Sequence, residues 1–540
     1  MPLAIRRRTL LPTIETPVLV VGGSLVGMSA AVFLGHHGVR PVVVEHHRGS
    51  AIHPRAALIT QRSMEAFRTL GIEKTIRDES EKQFVQDGAV MAVETLAGKE
   101  LAWFIANLNE GVRDVSPTVR LFITQKLLEP LLQKRAEELG VDLRFATEMI
   151  SFEQDSTGVT AVVRHRDTSE SYTIRARYLI AADGPRSSIR EQLRIPIEGR
   201  GILSHSITIY FRAPLAPLLR GRNLSVILVS NPALRGFFRI ERPFETGFLV
   251  VNTTGDPAHP NEDLWRGLTN DRCIEYLRAA LGDDTIPLVV DDVMKWNARA
   301  DVASRFREGR VFLAGDAAHV MPPYGGYGGN VGIQDAHGLA WKLAYVLRGW
   351  AGEGLLSTYE SERRPVASLT TEQAFTRYVT REARYLDRGN LEPQVEDLNI
   401  ELGYRYHSSA VVPEAEATNN RTHENPREST GHPGTRAPHL WLKPEVSTLD
   451  LFGRNFALLT GGEGKGWPEA AQFAVERLGV PLEVHPIRHA GFCDRYGVSG
   501  TGAALVRPDG FVAWRARSGG ESPAVSFFGA LSAVLDRQPR

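Results

Sequence analysis

The chain runs to 540 residues, 42% hydrophobic and 23% charged, with 63 basic against 63 acidic side chains and no net formal charge. That length predicts roughly three to four structural units rather than one core. Balanced charge excludes a globally basic nucleic-acid binder, though a local basic patch stays open, and no run of ~18 apolar residues exists to span a membrane.

Met1 to Glu15 is polar and carries Arg6, Arg7 and Arg8. An arginine pair can open an export signal, but no long apolar segment follows here. The two cysteines, Cys273 and Cys493, lie far apart and form no CxxC or Cys/His spacing. A disulfide framework and a metal site are therefore not expected, and the thiols suit a reducing cytoplasm.

Val18 to Val21 reads as a buried parallel strand ending in Gly22-Gly23. Gly22-Gly23-Ser24-Leu25-Val26-Gly27 follows, then an Ala-rich helix through Leu34 and a second strand, Val42-Val43-Val44, ending at Glu45. This order is a dinucleotide fingerprint: glycines allow the tight turn, and the helix start offers N–H groups to a pyrophosphate. Glu45 stands 23 residues after Gly22, near the spacing at which an acid takes ribose hydroxyls. Ser24 replaces the usual second glycine; it is small, and its hydroxyl can add a phosphate contact. The motif alone leaves NAD and FAD open.

Tyr178 to Ala182 is an apolar strand that runs into Asp183-Gly184-Pro185-Arg186. Residues 201–300 carry β-rich runs at hairpin spacings. Val311 to Ala314 is another strand, with Gly315-Asp316 at its end, followed by Pro322-Pro323-Tyr324-Gly325-Gly326-Tyr327-Gly328-Gly329-Asn330 and a helix from about Val331. An Asp at a strand's C-terminal edge can accept a ribityl or ribose hydroxyl. A glycine run lets backbone N–H groups close on a flat ring, and the helix start beside it favours an anionic reduced flavin. Nicotinamide needs no such device.

Together these segments resemble the set that defines class A FAD-dependent aromatic hydroxylases of the para-hydroxybenzoate hydroxylase fold, across most of residues 15–370. Gly22–Gly27, Asp183-Gly184 and Gly315-Asp316 match its three motifs. Pro322, Pro323 and Gly325–Asn330 match its flavin loop, with Val331 next to it. Arg55 and Gln125 match residues near the flavin or its phosphates. One departure is Gly338, where the family usually has Asn. The resemblance implies cofactor contacts at Gly22, Gly23, Ser24, Leu25, Val26, Gly27, Glu45, Arg55, Gln125, Asp183, Gly184, Gly315, Asp316, Pro323, Gly326, Gly328, Gly329, Asn330 and Val331. It implies that Pro322, Tyr324 and Gly328 position the reacting groups, with His319 and Tyr324 as proton handlers. Phe237, Phe238, Arg239, Trp296 and Arg299 are candidates for the substrate wall.

The implied fold is α/β. Residues 1–200 and 301–404 form a Rossmann-like FAD-binding domain, and 201–300 an inserted, mostly antiparallel β-sheet substrate domain. Residues 405–435 are a linker, and 436–540 a thioredoxin-like domain whose lack of CxxC favours packing or homodimerisation. The implied chemistry uses FAD, O2 and NADPH or NADH to hydroxylate a phenolic substrate through a flavin C4a-hydroperoxide. The segment Gly328 to His337 and the C-terminal part look closest to hydroxylases of bacterial aromatic polyketides, of the tetracenomycin and anthracycline type. A Baeyer–Villiger oxygenase and a non-catalytic flavin-binding redox sensor are the alternatives on this fold.

Overall fold

The computed structural model describes residues 12–50, 57–256, 259–260, 264–387, 389–414, 421–520 and 522–537. Its first sheet is eight-stranded and built around Thr13–Val21. That strand pairs in parallel with Ser171–Ala181 on one side and Val42–Val44 on the other, and Val311–Leu313 extends the sheet beyond Ser171–Ala181. Such strands are covered on both faces, which is why Val18, Leu19 and Val20 are all apolar and wholly buried. Val21 pairs with Ala181, and Ala181 with Leu313. The three motif strands therefore end level, and the three turns that follow them open at one edge.

The second sheet has nine strands, mostly antiparallel. Its centre is Ile197–Arg212, Thr246–Asp256 and Leu234–Glu241. It does not keep to the span 201–300. Ala89–Val93 and Glu100–Ile105 leave the first segment to join it, Ala89–Val93 pairing in parallel with Leu224–Ser230. Residues alternate across this sheet. Ile207, Ile209, Phe238, Leu249 and Val251 pack on the outer face against the helix Asn270–Leu281. Tyr210, Phe237, Phe248, Val250 and Trp296 gather on the inner face.

The C-terminal unit is a four-stranded sheet in the order Leu482–Ile487, Phe456–Gly461, Ala503–Val506, Val512–Ala516, with helices Trp467–Leu478 and Pro523–Val534. The stretch expected as a linker is instead packed down where it is described. Tyr406 buries against Phe511, and Glu414 pairs with Arg515. A buried charge cluster joins this unit to the rest. Glu362 receives Lys342 at 2.5 Å and Arg507 at 2.6 Å, and Arg507 also holds Asp509. Trp341 Nε1 donates to Asp509 at 3.0 Å. No helix among the described residues is long and apolar enough to cross a membrane.

Candidate active site

The first turn is closed to side chains. Gly22 has φ +102°, and a Cβ there would lie 2.2 Å from the Ala182 carbonyl oxygen; one on Gly27 would lie 1.8 Å from that of Gly22. Only glycine tolerates both positions. Ser24 precedes the helix Leu25–His36, whose first N–H groups lack intrahelical partners. The Ser24 hydroxyl donates to Glu129 at 2.7 Å and accepts from Gln125 at 2.6 Å. Ser24 and Gln125 thus meet, with Glu129 as a third member. Glu45 is buried; its Oε2 accepts the Gly23 N–H at 2.6 Å and its Oε1 the His47 N–H at 2.8 Å. Leu25 is a core residue, and Val26 wedges between the first and third motifs: a Cβ on Gly315 would lie 2.7 Å from its methyl.

Asp183 Oδ2 accepts the Ile189 N–H at 3.3 Å, while Oδ1 is buried without a hydrogen-bond partner. Burial raises the pKa of this carboxyl. A buried polar atom left unpaired is costly, and a hydroxyl-bearing ligand at the strand ends would satisfy it. Gly184 next to it has φ +83° and open space beyond. Arg190 donates to the Ala317 and Pro185 carbonyls and so ties the second turn to the third. In the third turn Gly315 has φ +61° and Asp316 is exposed at the rim. The Gly315 N–H donates to Asp335 at 3.1 Å. Asp335 also holds His319 Nε2 at 2.7 Å and Arg363 Nε at 2.8 Å.

Beyond it, Pro322 is buried, Pro323 is exposed, and Gly325 and Gly326 take φ of +92° and +67°. The helix Gly328–Leu347 starts at the loop's end with no side-chain cap, so its first N–H groups face the loop. Asn330 accepts the Thr60 N–H at 2.9 Å and donates to the Leu58 and Gly326 carbonyls, both at 2.8 Å. Tyr324 is buried and donates to Glu382 at 2.6 Å, while Asn252 of the second sheet reaches the Tyr324 hydroxyl at 3.5 Å. The flavin loop and the inner sheet face therefore meet at Tyr324.

Residues 15–374 match the family described as FAD binding domain, and residues 430–537 match the aromatic-ring hydroxylase C-terminal domain. The chain belongs to the FAD-dependent aromatic-ring hydroxylases. It is 50% identical to a 4-methyl-5-nitrocatechol 5-monooxygenase of Burkholderia sp, across 97% of this chain and 98% of that protein. It is 38% identical to the tetracenomycin A2 monooxygenase-dioxygenase of Streptomyces glaucescens, across 97% and 98% of the two chains. The crystal structure of aklavinone-11 hydroxylase in ternary complex with FAD and aklavinone has the same fold, with a TM-score of 0.90 at 36% identity over 97% of this chain and 99% of that one.

Several expectations for this hydroxylase need correction. His319 is wholly buried and bound to Asp335 through Nε2, so it braces the Gly315 turn, with Nδ1 left without a hydrogen-bond partner. The Asn330 amide is fully engaged in pinning its loop to Leu58 and Thr60, which leaves only its backbone for a cofactor. Val331 gives its N–H to the Tyr327 carbonyl, and Gly326 gives its own to Pro323. Phe238 faces the outer core, because side chains alternate along its strand. Arg299 sits in an ion pair with Asp301 at 2.7 Å. Arg55 lies outside the described residues.

Phe237 and Trp296 do share the inner face, and Trp296 donates to Thr208 at 3.0 Å. Arg239 is buried between the rings of Phe84 and Phe122, at 4.6 and 3.8 Å. Its Nε and Nη2 have no hydrogen-bond partners, and burial lowers its pKa to about 9. Glu129, Asp335, Arg363 and Glu382 were missed. Asp335 had a signal: an acid inside an apolar helix must be partnered to be buried.

Proposed function

We propose that this hydroxylase inserts one oxygen atom into a phenolic ring, with NADPH or NADH as reductant and O2 as oxidant. The observation that carries this reading is the inner sheet face, where an aromatic wall of Tyr210, Phe237, Phe248 and Trp296 adjoins a polar end of Ser206, Asn252 and Tyr324. A flat ring packs on the wall, and its hydroxyl finds donors and acceptors at the polar end. The relative at 50% identity, named for a nitrocatechol, supports a single substituted ring. The aklavinone complex, at a TM-score of 0.90, supports one ring of a polycycle such as an aromatic polyketide.

The residues fit FAD. The backbone of Gly22–Gly27 would hold the pyrophosphate, assisted by Ser24 and Gln125, and Glu45 the ribose. Asp316 would hold the ribityl chain, and Asp183 Oδ1 a further hydroxyl. Pro323, Gly328 and Gly329 would bring backbone against the ring system. When bound, FAD takes hydride from the coenzyme and supplies the activated oxygen. The chain's part is to exclude water, hold the ring and handle its proton.

The test is coenzyme consumption by the purified yellow protein, with 4-methyl-5-nitrocatechol and with polycyclic phenols. The expected result is substrate-stimulated oxidation of NADPH or NADH and a product with one added oxygen on the ring. A ring-expanded lactone would replace this reading with Baeyer–Villiger chemistry. No stimulation by either class would favour a flavin-binding sensor.

A further inference from the structure

Resting on the hydroxylase reading, the wall holds one phenolic ring, and the residues around it set what that ring can carry. Arg239 stands on Leu234–Glu241 in alternation with Phe237, so it shares the inner face. It pairs across strands with Phe248, a member of the wall. Its guanidinium lies over two rings, 4.6 Å from Phe84 and 3.8 Å from Phe122. Phe122 pairs with Leu58, whose carbonyl accepts the Asn330 amide of the flavin loop. The cation therefore sits between the wall and the ribbon that pins the loop.

Other buried arginines meet a carboxylate. Arg62 and Arg436 pair with Glu65, Arg120 with Glu401, Arg363 with Asp335 and Arg507 with Glu362. Arg239 has no such ion pair among the described residues. Glu241, on the same face of the same strand, accepts Gln83 Nε2 at 2.9 Å and Thr246 Oγ1 at 3.1 Å instead. The two rings offset part of the burial cost of the charge. They leave Nε and Nη2 buried without hydrogen-bond partners. Those two donors form one edge of the guanidinium fork, spaced for a planar pair of oxygens. Burial lowers the Arg239 pKa to about 9, which keeps it charged at neutral pH. A buried cation without a counterion is costly, and an anionic group entering beside it would offset that cost.

We infer that Arg239 is the specificity-determining residue of the wall: through Nε and Nη2 it takes a planar two-oxygen group on the substrate ring, either a carboxylate or the nitro group of an ionised nitrophenol. Ionisation of a hydroxyl conjugated with a nitro group moves charge onto the nitro oxygens, so both groups present the same pair of negative oxygens. Asn252 stands further along the strand that carries Phe248, next to Ser206 and Tyr324. The ring is therefore oriented with a hydroxyl towards that polar end and its two-oxygen group towards Arg239.

The experiment uses the FAD-loaded protein without coenzyme, so nothing turns over. Binding of 4-methyl-5-nitrocatechol, 3,4-dihydroxybenzoate and 4-methylcatechol is measured in the wild type, Arg239→Met and Arg239→Lys, with flavin retention and chemical denaturation of each. In the wild type at least one of the first two should bind about tenfold or more tightly than 4-methylcatechol, as a charge-assisted pair would give; which one does so identifies the group. In Arg239→Met that ratio should collapse to near one, with no loss of stability, because an uncompensated charge has gone. Arg239→Lys keeps the charge and loses the fork, so its ratio should fall between the two, and it serves alone if the Met variant does not retain flavin. If the ratio is the same in every flavin-retaining protein, Arg239 is only a packing brace and the inference is overturned, while the hydroxylase reading stands. If the wild type binds none of the three ligands yet a polycyclic phenol drives coenzyme oxidation, the subsite is again wrong and the hydroxylase reading survives.

Discussion

The cofactor cradle and the substrate wall are built by opposite means. The cradle is backbone: three strands end level, and the first and third turns leave so little room that glycine is imposed at Gly22, Gly27 and Gly315. The wall is side chains on a sheet, where any ring of suitable size would pack. Backbone sites accept almost no change, whereas side-chain sites tolerate and tune it. On the proposed reading, backbone holds the cofactor and side chains select the substrate.

The most damaging test of that contrast is Gly27→Val, whose side chain would enter the Gly22 carbonyl. No flavin should remain after gel filtration, and retained yellow colour would break the contrast. Next is Arg507→Met, which leaves Glu362 and Asp509 short of a buried cation. Removing one partner from such a cluster costs about 3–5 kcal/mol, to be read by chemical denaturation.

Glu382→Gln comes third. Its folded pKa, raised to about 7, means the native state holds a proton that the unfolded chain releases near pH 4.5. Stability from this group is present below pH ~4.5 and is lost as pH rises through ~7, by at most roughly 3 kcal/mol. Wild type should therefore lose melting temperature relative to the Gln variant over that interval; parallel curves would refute the assignment. Asp316→Ala should weaken FAD binding while leaving the fold intact, by circular dichroism. The mildest is Phe237→Ala, with flavin retained and kcat/KM down about tenfold or more, near 1–3 kcal/mol. If Phe237→Ala lost flavin instead, wall and cradle would not be separable.

This division also explains what could be read from the sequence. Gly22–Gly27, Asp183-Gly184 and Gly315-Asp316 were legible because crowding at Gly22, Gly27 and Gly315, and a positive φ at Gly184, write glycine at fixed places after apolar strands. The strands Ala89–Val93 and Glu100–Ile105 were not, since nothing local says that a chain will leave one sheet for another. Phe237 could have been separated from Phe238 by alternation alone. Glu382 and Glu129 escaped because their meaning lies in partners 58 and 105 residues away. The role of Arg363 appears only when Asp335, His319 and Tyr406 are seen around it.

The charge cluster at Glu362 also bears on how this protein can be engineered. Asp509 and Arg507 reach the indole of Trp341 on the very helix whose first turn faces the flavin loop. Trimming the C-terminal unit to obtain a smaller catalyst would strip that helix of its counterions and uncover a tryptophan. Through Arg507 and Asp509, the described part of the C-terminal unit packs the helices Gly328–Leu347 and Thr358–Arg381.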